Sequence, residues 1–129
     1  MKTPIYNFAF LSLLFLIIAC EGGTTFTKTI DNKSSESITI KLSMNTGYEE
    51  SFTILSNETK QIYWDDQLGR FVDETYSCTQ SIDSIEITIS NNKTLNKDIL
   101  NSENWQKESK DGRNSREDCT FLVTDADIE

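Results

Sequence analysis

SITIKLSM, residues 37–44, decides the fold class. Ile38, Ile40, Leu42 and Met44 occupy every second position, with Thr39, Lys41 and Ser43 between them. Side chains on an extended backbone alternate between two faces, so the four apolar groups share one side and the polar ones share the other. A helix of 3.6 residues per turn would scatter them. Ser84-Ile85-Glu86-Ile87-Thr88-Ile89-Ser90 repeats the pattern, and both stretches predict half-buried strands.

Working outward, weaker strand patterns cover Thr24 to Asp31, Glu50 to Leu55, Thr59 to Trp64, and Cys119 to Thr124. Turn-forming clusters separate them: Asp31-Asn32-Lys33-Ser34-Ser35, Asn45-Thr46-Gly47, Ser56-Asn57-Glu58 and Asn91-Asn92-Lys93. Strands spaced by about 8 to 14 residues suit a sandwich or barrel. The expectation is an all-β chain forming a single antiparallel β-sandwich, Ig-like or similar, of about six to eight strands. Helical spacing is confined to Leu95, Ile99 and Leu100, enough for at most one turn. Residues 101–118 are almost wholly polar and predict a long loop or hairpin tip, with Trp105 its one apolar anchor.

The first residues have a different character. Lys2 precedes an apolar run through Phe8-Ala9-Phe10-Leu11-Ser12-Leu13-Leu14-Phe15-Leu16-Ile17-Ile18, the layout of a secretory signal peptide. The run is shorter than the roughly 20 apolar residues that a membrane-spanning helix needs. It ends in Ile17-Ile18-Ala19-Cys20, which resembles the lipobox of bacterial lipoproteins. The resemblance implies cleavage before Cys20, a diacylglyceryl thioether on its sulfur, and acylation of the new amine. Several acyl chains hold a protein on a bilayer where one would not. The chain then divides into a signal peptide at 1–19, a lipidated tether at 20–23 and a single β domain at 24–129. In lipoproteins of the enterobacterial kind an Asp directly after the cysteine favours inner-membrane retention. Glu21 stands there instead, which implies the outer membrane, facing the periplasm, with surface exposure the alternative. The segment Gln80 to Glu129 is also similar to the C-terminal half of small uncharacterised envelope lipoproteins of Bacteroidetes-type bacteria. Ser81-Ile82-Asp83-Ser84-Ile85-Glu86-Ile87, Asn104-Trp105, and the ending from Cys119 to Ile128 carry that similarity. It implies fold class and location alone.

Charge and cysteine content narrow the function classes. Without residues 1–19, which carry Lys2 and no acid, 11 basic residues stand against 21 acidic ones, a formal charge of −10. That opposes nucleic acid and a peripheral hold on anionic lipid, and allows a basic protein partner. The chain has no histidine, which removes every Ser-His and Cys-His arrangement and the commonest zinc ligand. With Cys20 lipidated, Cys78 and Cys119 remain as an even pair in an oxidising compartment, and predict a disulfide joining the last strand to the loop before the Ile85 strand.

Candidate sites are few. Tyr63-Trp64-Asp65-Asp66 with Arg70-Phe71, and Trp105 farther on, gather the residue types that anchor contact surfaces. The competing expectation is a strand end with Ile62 and Trp64 facing the core and Asp65-Asp66 starting a turn. Adjacent acids such as Asp65 and Asp66 would point to opposite faces of a continued strand, which defeats paired-carboxylate catalysis. Asp125-Ala126-Asp127 lacks the glycine turn of a calcium loop. No metal, cofactor or catalytic residue is expected. The sequence suggests a lipid-anchored envelope protein acting as a non-catalytic binding or structural module. An inhibitor or immunity lipoprotein against a basic lytic enzyme such as a lysozyme is the alternative, and an enzyme working by carboxylates alone is the remote third.

Overall fold

A computed structural model describes residues 22–69 and 75–129, so the expected signal peptide, Cys20, Arg70 and Phe71 lie outside the described residues. Seven strands make two facing sheets: β1 (Gly23–Asn32), β2 (Ile38–Met44), β3 (Glu49–Ile54), β4 (Thr59–Leu68), β5 (Ile82–Ile89), β6 (Trp105–Lys110) and β7 (Ser115–Val123). The larger sheet has the order β4-β1-β7-β6 and the smaller β3-β2-β5. The fold is the all-β sandwich that the alternation predicts, with one departure. β1 and β7 run parallel, pairing Thr24 with Ser115 through to Asn32 with Val123, while the other ladders are antiparallel.

The period-two pattern sets the core. Ile38, Ile40, Leu42 and Met44 are all buried, and face Ile30, Ile62, Phe121 and Val123 of the larger sheet. Burial of each such side chain stabilises the fold by about 1.5–3 kcal/mol. Side-chain hydrogen bonds and left-handed residues close the turns. The buried Asn32 amide donates to the Glu36 carbonyl at 2.8 Å and the Leu55 carbonyl at 3.0 Å, and its oxygen accepts from the Ser34 hydroxyl at 2.6 Å. Asn91 and Asn92 take φ of 60° and 56°, a region that asparagine tolerates better than most residues.

Residues 101–118 are more ordered than the polar composition predicts. A 3-10 turn at Ser102–Asn104 leads into β6, which forms a hairpin with β7. Trp105 anchors it, donating from Nε1 to the Ile99 carbonyl at 2.7 Å and packing on Phe121 with ring centroids 5.3 Å apart. The other β6 positions are exposed, and their charges suit an edge strand that avoids pairing with a second chain. No α-helix forms around Leu95; that residue makes an isolated bridge with Ile128.

Cys78, in the turn before β5, and Cys119, on β7, form the expected disulfide, with Cα atoms 5.6 Å apart. It ties the segment that feeds the smaller sheet to an inner strand of the larger one. Beside it the inner face of the larger sheet turns polar. Lys28 is wholly buried and donates to the Cys78 carbonyl at 2.5 Å and the Tyr76 hydroxyl at 3.1 Å. Burial pushes its ammonium down to about 8 and the Tyr76 phenol up to about 12. The buried Glu117 carboxylate accepts from Ser109 at 2.5 Å and pairs with Lys107 at 3.7 Å. Lys28 and Glu117 are sealed from solvent, and with their partners they hold the disulfide-bearing turn against the sheet, so they act as structure.

Candidate functional site

A one-residue bulge on β4 determines which side chains this part of the chain offers to solvent. Lys28 pairs with Tyr63 and Thr29 with Gln61, leaving Ile62 as the extra residue. A bulge reverses the alternation, so Ile62 and Tyr63 both turn toward the space between the sheets. Trp64 goes outward and is 56% exposed. The expectation that Ile62 and Trp64 share a core-facing side is therefore corrected: Ile62 is buried and Trp64 is not. The strand also does not end there, but continues through Asp65 and Asp66 to Leu68. Asp66 accepts from the outward Thr25 hydroxyl at 2.6 Å, while Asp65, opposite Phe26, accepts from Gln67 at 3.1 Å. The two carboxylates take opposite faces and cannot act on one substrate atom.

The open side of the sandwich, between edge strands β3 and β4, holds a cleft of about 250 Å³ lined by Tyr48, Glu50, Phe52, Gln61, Ile62, Tyr63 and Trp64. Tyr48 and Tyr63 meet edge to face with centroids 5.8 Å apart, joining the two sheets across the gap. Tyr48 donates its hydroxyl to Glu50, which sits on β3 in register with the core residue Leu42. A carboxylate thus stands where the inner-face pattern would otherwise continue with an apolar residue. Burial, and then Glu50, pushes the Tyr48 phenol up to about 12. Burial, and then Asp65, raises that of Tyr63, against a smaller opposing hydrogen bond with Thr46. Both phenols stay protonated at neutral pH. At one end, Lys60 Nζ lies 5.8 Å from the centroid of the Phe52 ring.

The structure brings together two of the sequence-predicted contact residues, Tyr63 and Trp64, and keeps Asp65 and Asp66 beside them on β4. It sets Trp105 apart. That residue is 6% exposed and lies on the opposite edge of the larger sheet, three strand spacings or about 14 Å from β4, so it belongs to the core and not to a contact surface. Sequence reasoning missed Tyr48, Glu50 and Phe52, although their spacing at every second position carries the signal. Near the C-terminus, Asp125 accepts from the Ser35 hydroxyl and Asp127 from the Thr124 hydroxyl, each at 2.9 Å, so these acids close a turn. Among the described residues, no group of three or more acids and cysteines is arranged to hold a metal ion.

A protonated aromatic cleft with one carboxylate and one amide suits non-covalent recognition. It offers ring faces, phenol hydroxyls and a carboxylate to which Tyr48 already donates. Comparison of the chain with family models, curated proteins and solved structures gives no match.

Proposed function

We propose that this protein is a lipid-anchored bacterial envelope protein whose β-sandwich is a non-catalytic binding module, with the β3–β4 cleft as its binding site. The half-exposed Trp64 beside Tyr48, Tyr63 and Glu50 carries the proposal. A large aromatic ring left half in water on an edge strand is the residue type that dominates contact energies. The Ile17-Ile18-Ala19-Cys20 stretch supports the anchor, and the absence of histidine supports a role without chemistry.

Two experiments test it. Cys20→Ser in the full-length chain should abolish incorporation of a labelled fatty acid and release the protein from the membrane fraction; unchanged labelling would overturn the anchor. A photoreactive residue replacing Trp64 in intact cells should form an adduct. The same group at Thr88, on the outer face of β5, should not. Equal adducts at both positions, or none at 64, would overturn the site.

A further inference from the structure

We infer that the β3–β4 cleft takes a cationic side chain, a lysine or arginine of a basic partner protein. The inference rests on the binding role proposed above and names its ligand. Size is the first argument. At about 250 Å³ the cleft falls below the range of roughly 300–1,000 Å³ typical of small-molecule pockets, and fits one long side chain better than a free metabolite.

Composition is the second. Aromatic ring faces attract cations, and Glu50 is the one charged residue in the lining. Tyr48 engages one of its carboxylate oxygens, and the other has no hydrogen-bond partner among the described residues. The protein already sets an amine on this wall, since Lys60 lies over Phe52 and leaves the Tyr48, Tyr63 and Trp64 end to an outside ligand.

Charge around the mouth is the third. Glu49 adjoins the cleft on β3, and Asp65 and Asp66 follow Trp64 on β4. A potential spread over two strands, on a chain with 21 acidic residues, steers a basic protein surface more strongly than a lone cation. An inward carboxylate can also serve only to keep an edge strand from pairing, and the experiment separates the two roles.

The test uses the lipidated protein purified in detergent, titrated with a tetralysine peptide and with the same peptide acetylated on every side chain. Binding is followed by Trp64 fluorescence and calorimetry. Tetralysine should bind, and the acetylated peptide should bind at least about tenfold more weakly, since acetylation removes charge and keeps the alkyl stem. Trp64→Ala and Glu50→Gln should each weaken tetralysine binding about fivefold, with Trp64→Phe in between. Both residues are exposed, so unchanged thermal unfolding will show that the fold is intact. Equal affinity for the acetylated peptide, or variants that bind as tightly as the natural chain, would overturn the inference. So would Glu50→Gln that promotes self-association without touching binding. If the photoreactive group at position 64 finds a partner in cells while tetralysine does not bind, the cation assignment alone fails. If neither occurs, the binding role falls with it.

Discussion

Lys28 and Cys78, 50 positions apart, are joined by a hydrogen bond of 2.5 Å from the buried ammonium to the cysteine carbonyl. Lys28 also pairs in register with Cys119, the other half of the disulfide. One buried charge and one covalent bond therefore fasten the same turn to the same sheet. They respond differently to conditions, which makes them separable.

The lysine gives a stability profile that rises with pH. In the folded protein its ammonium releases its proton near 8, whereas the unfolded chain holds that proton to 10.5. Between those values the unfolded state binds more protons, so stability increases as pH rises, by a contribution of up to about 3 kcal/mol. Tyr48 and Tyr76, raised to about 12, act oppositely above pH 10, because the unfolded chain loses their protons first. Denaturant midpoints should climb from pH 8 to about 10 and then fall. Lys28→Met should remove the climb and leave the fall.

The disulfide gives a contribution that does not depend on pH in this range. Closing a loop of sequence separation 41 restricts the unfolded chain by about 4 kcal/mol. The Cys78→Ala/Cys119→Ala double variant should lose stability of that order in guanidinium unfolding. For a small domain with a total of about 5–15 kcal/mol, this leaves a folded but fragile protein. A double variant as stable as the natural chain would show that the turn is held by Lys28 and the core alone.

Acid should release the other end of the sandwich. Glu36 takes its strongest support from Lys93, at 2.8 Å, then from the Ser90 hydroxyl and the Asn91 amide, and its pKa falls to about 2. Asp125 is lowered by the Ser35 backbone N–H and Asp31 by the Thr59 hydroxyl. Each contributes stability that is present above its unfolded value and disappears as pH falls through its folded one. Urea midpoints should therefore drop from about pH 4.5 toward pH 2. Glu36→Gln should begin lower and show a shallower drop.

The part of this fold legible from the chain is the part where alternation is clean and packing agrees with it. Ile38 to Met44 give β2 at its observed length, and the turn clusters fall between strands as their side-chain chemistry requires. β6 was hidden because its inward positions, Trp105, Lys107 and Ser109, include one apolar group. Its polar atoms are satisfied by Glu117 and by the Tyr76 carbonyl, which local pattern cannot reveal. The parallel β1–β7 pairing was equally invisible, since it joins the two ends of the domain. At the cleft the obstacle was one residue. The Ile62 bulge shifts Trp64 out of phase with its own strand, so a regular period assigns it to the wrong face.

The two tryptophans put that phase shift to a direct test. Trp105 fills the space against Phe121 and satisfies the Ile99 carbonyl, so Trp105→Ala opens a void and strands an acceptor. The expected loss is about 3–5 kcal/mol. Trp64 stands half in water beside the cleft, and Trp64→Ala should change stability by about 0.5 kcal/mol or less. Their emission should separate in the same way: removal of Trp64 leaves a blue-shifted spectrum that acrylamide barely quenches, while the natural protein adds a red-shifted, readily quenched component. If Trp64 instead occupied the core beside Ile62, as an unbroken alternation requires, both replacements would destabilise strongly and neither signal would be quenched. The bulge at Ile62, and the open cleft that depends on it, stand or fall on that comparison.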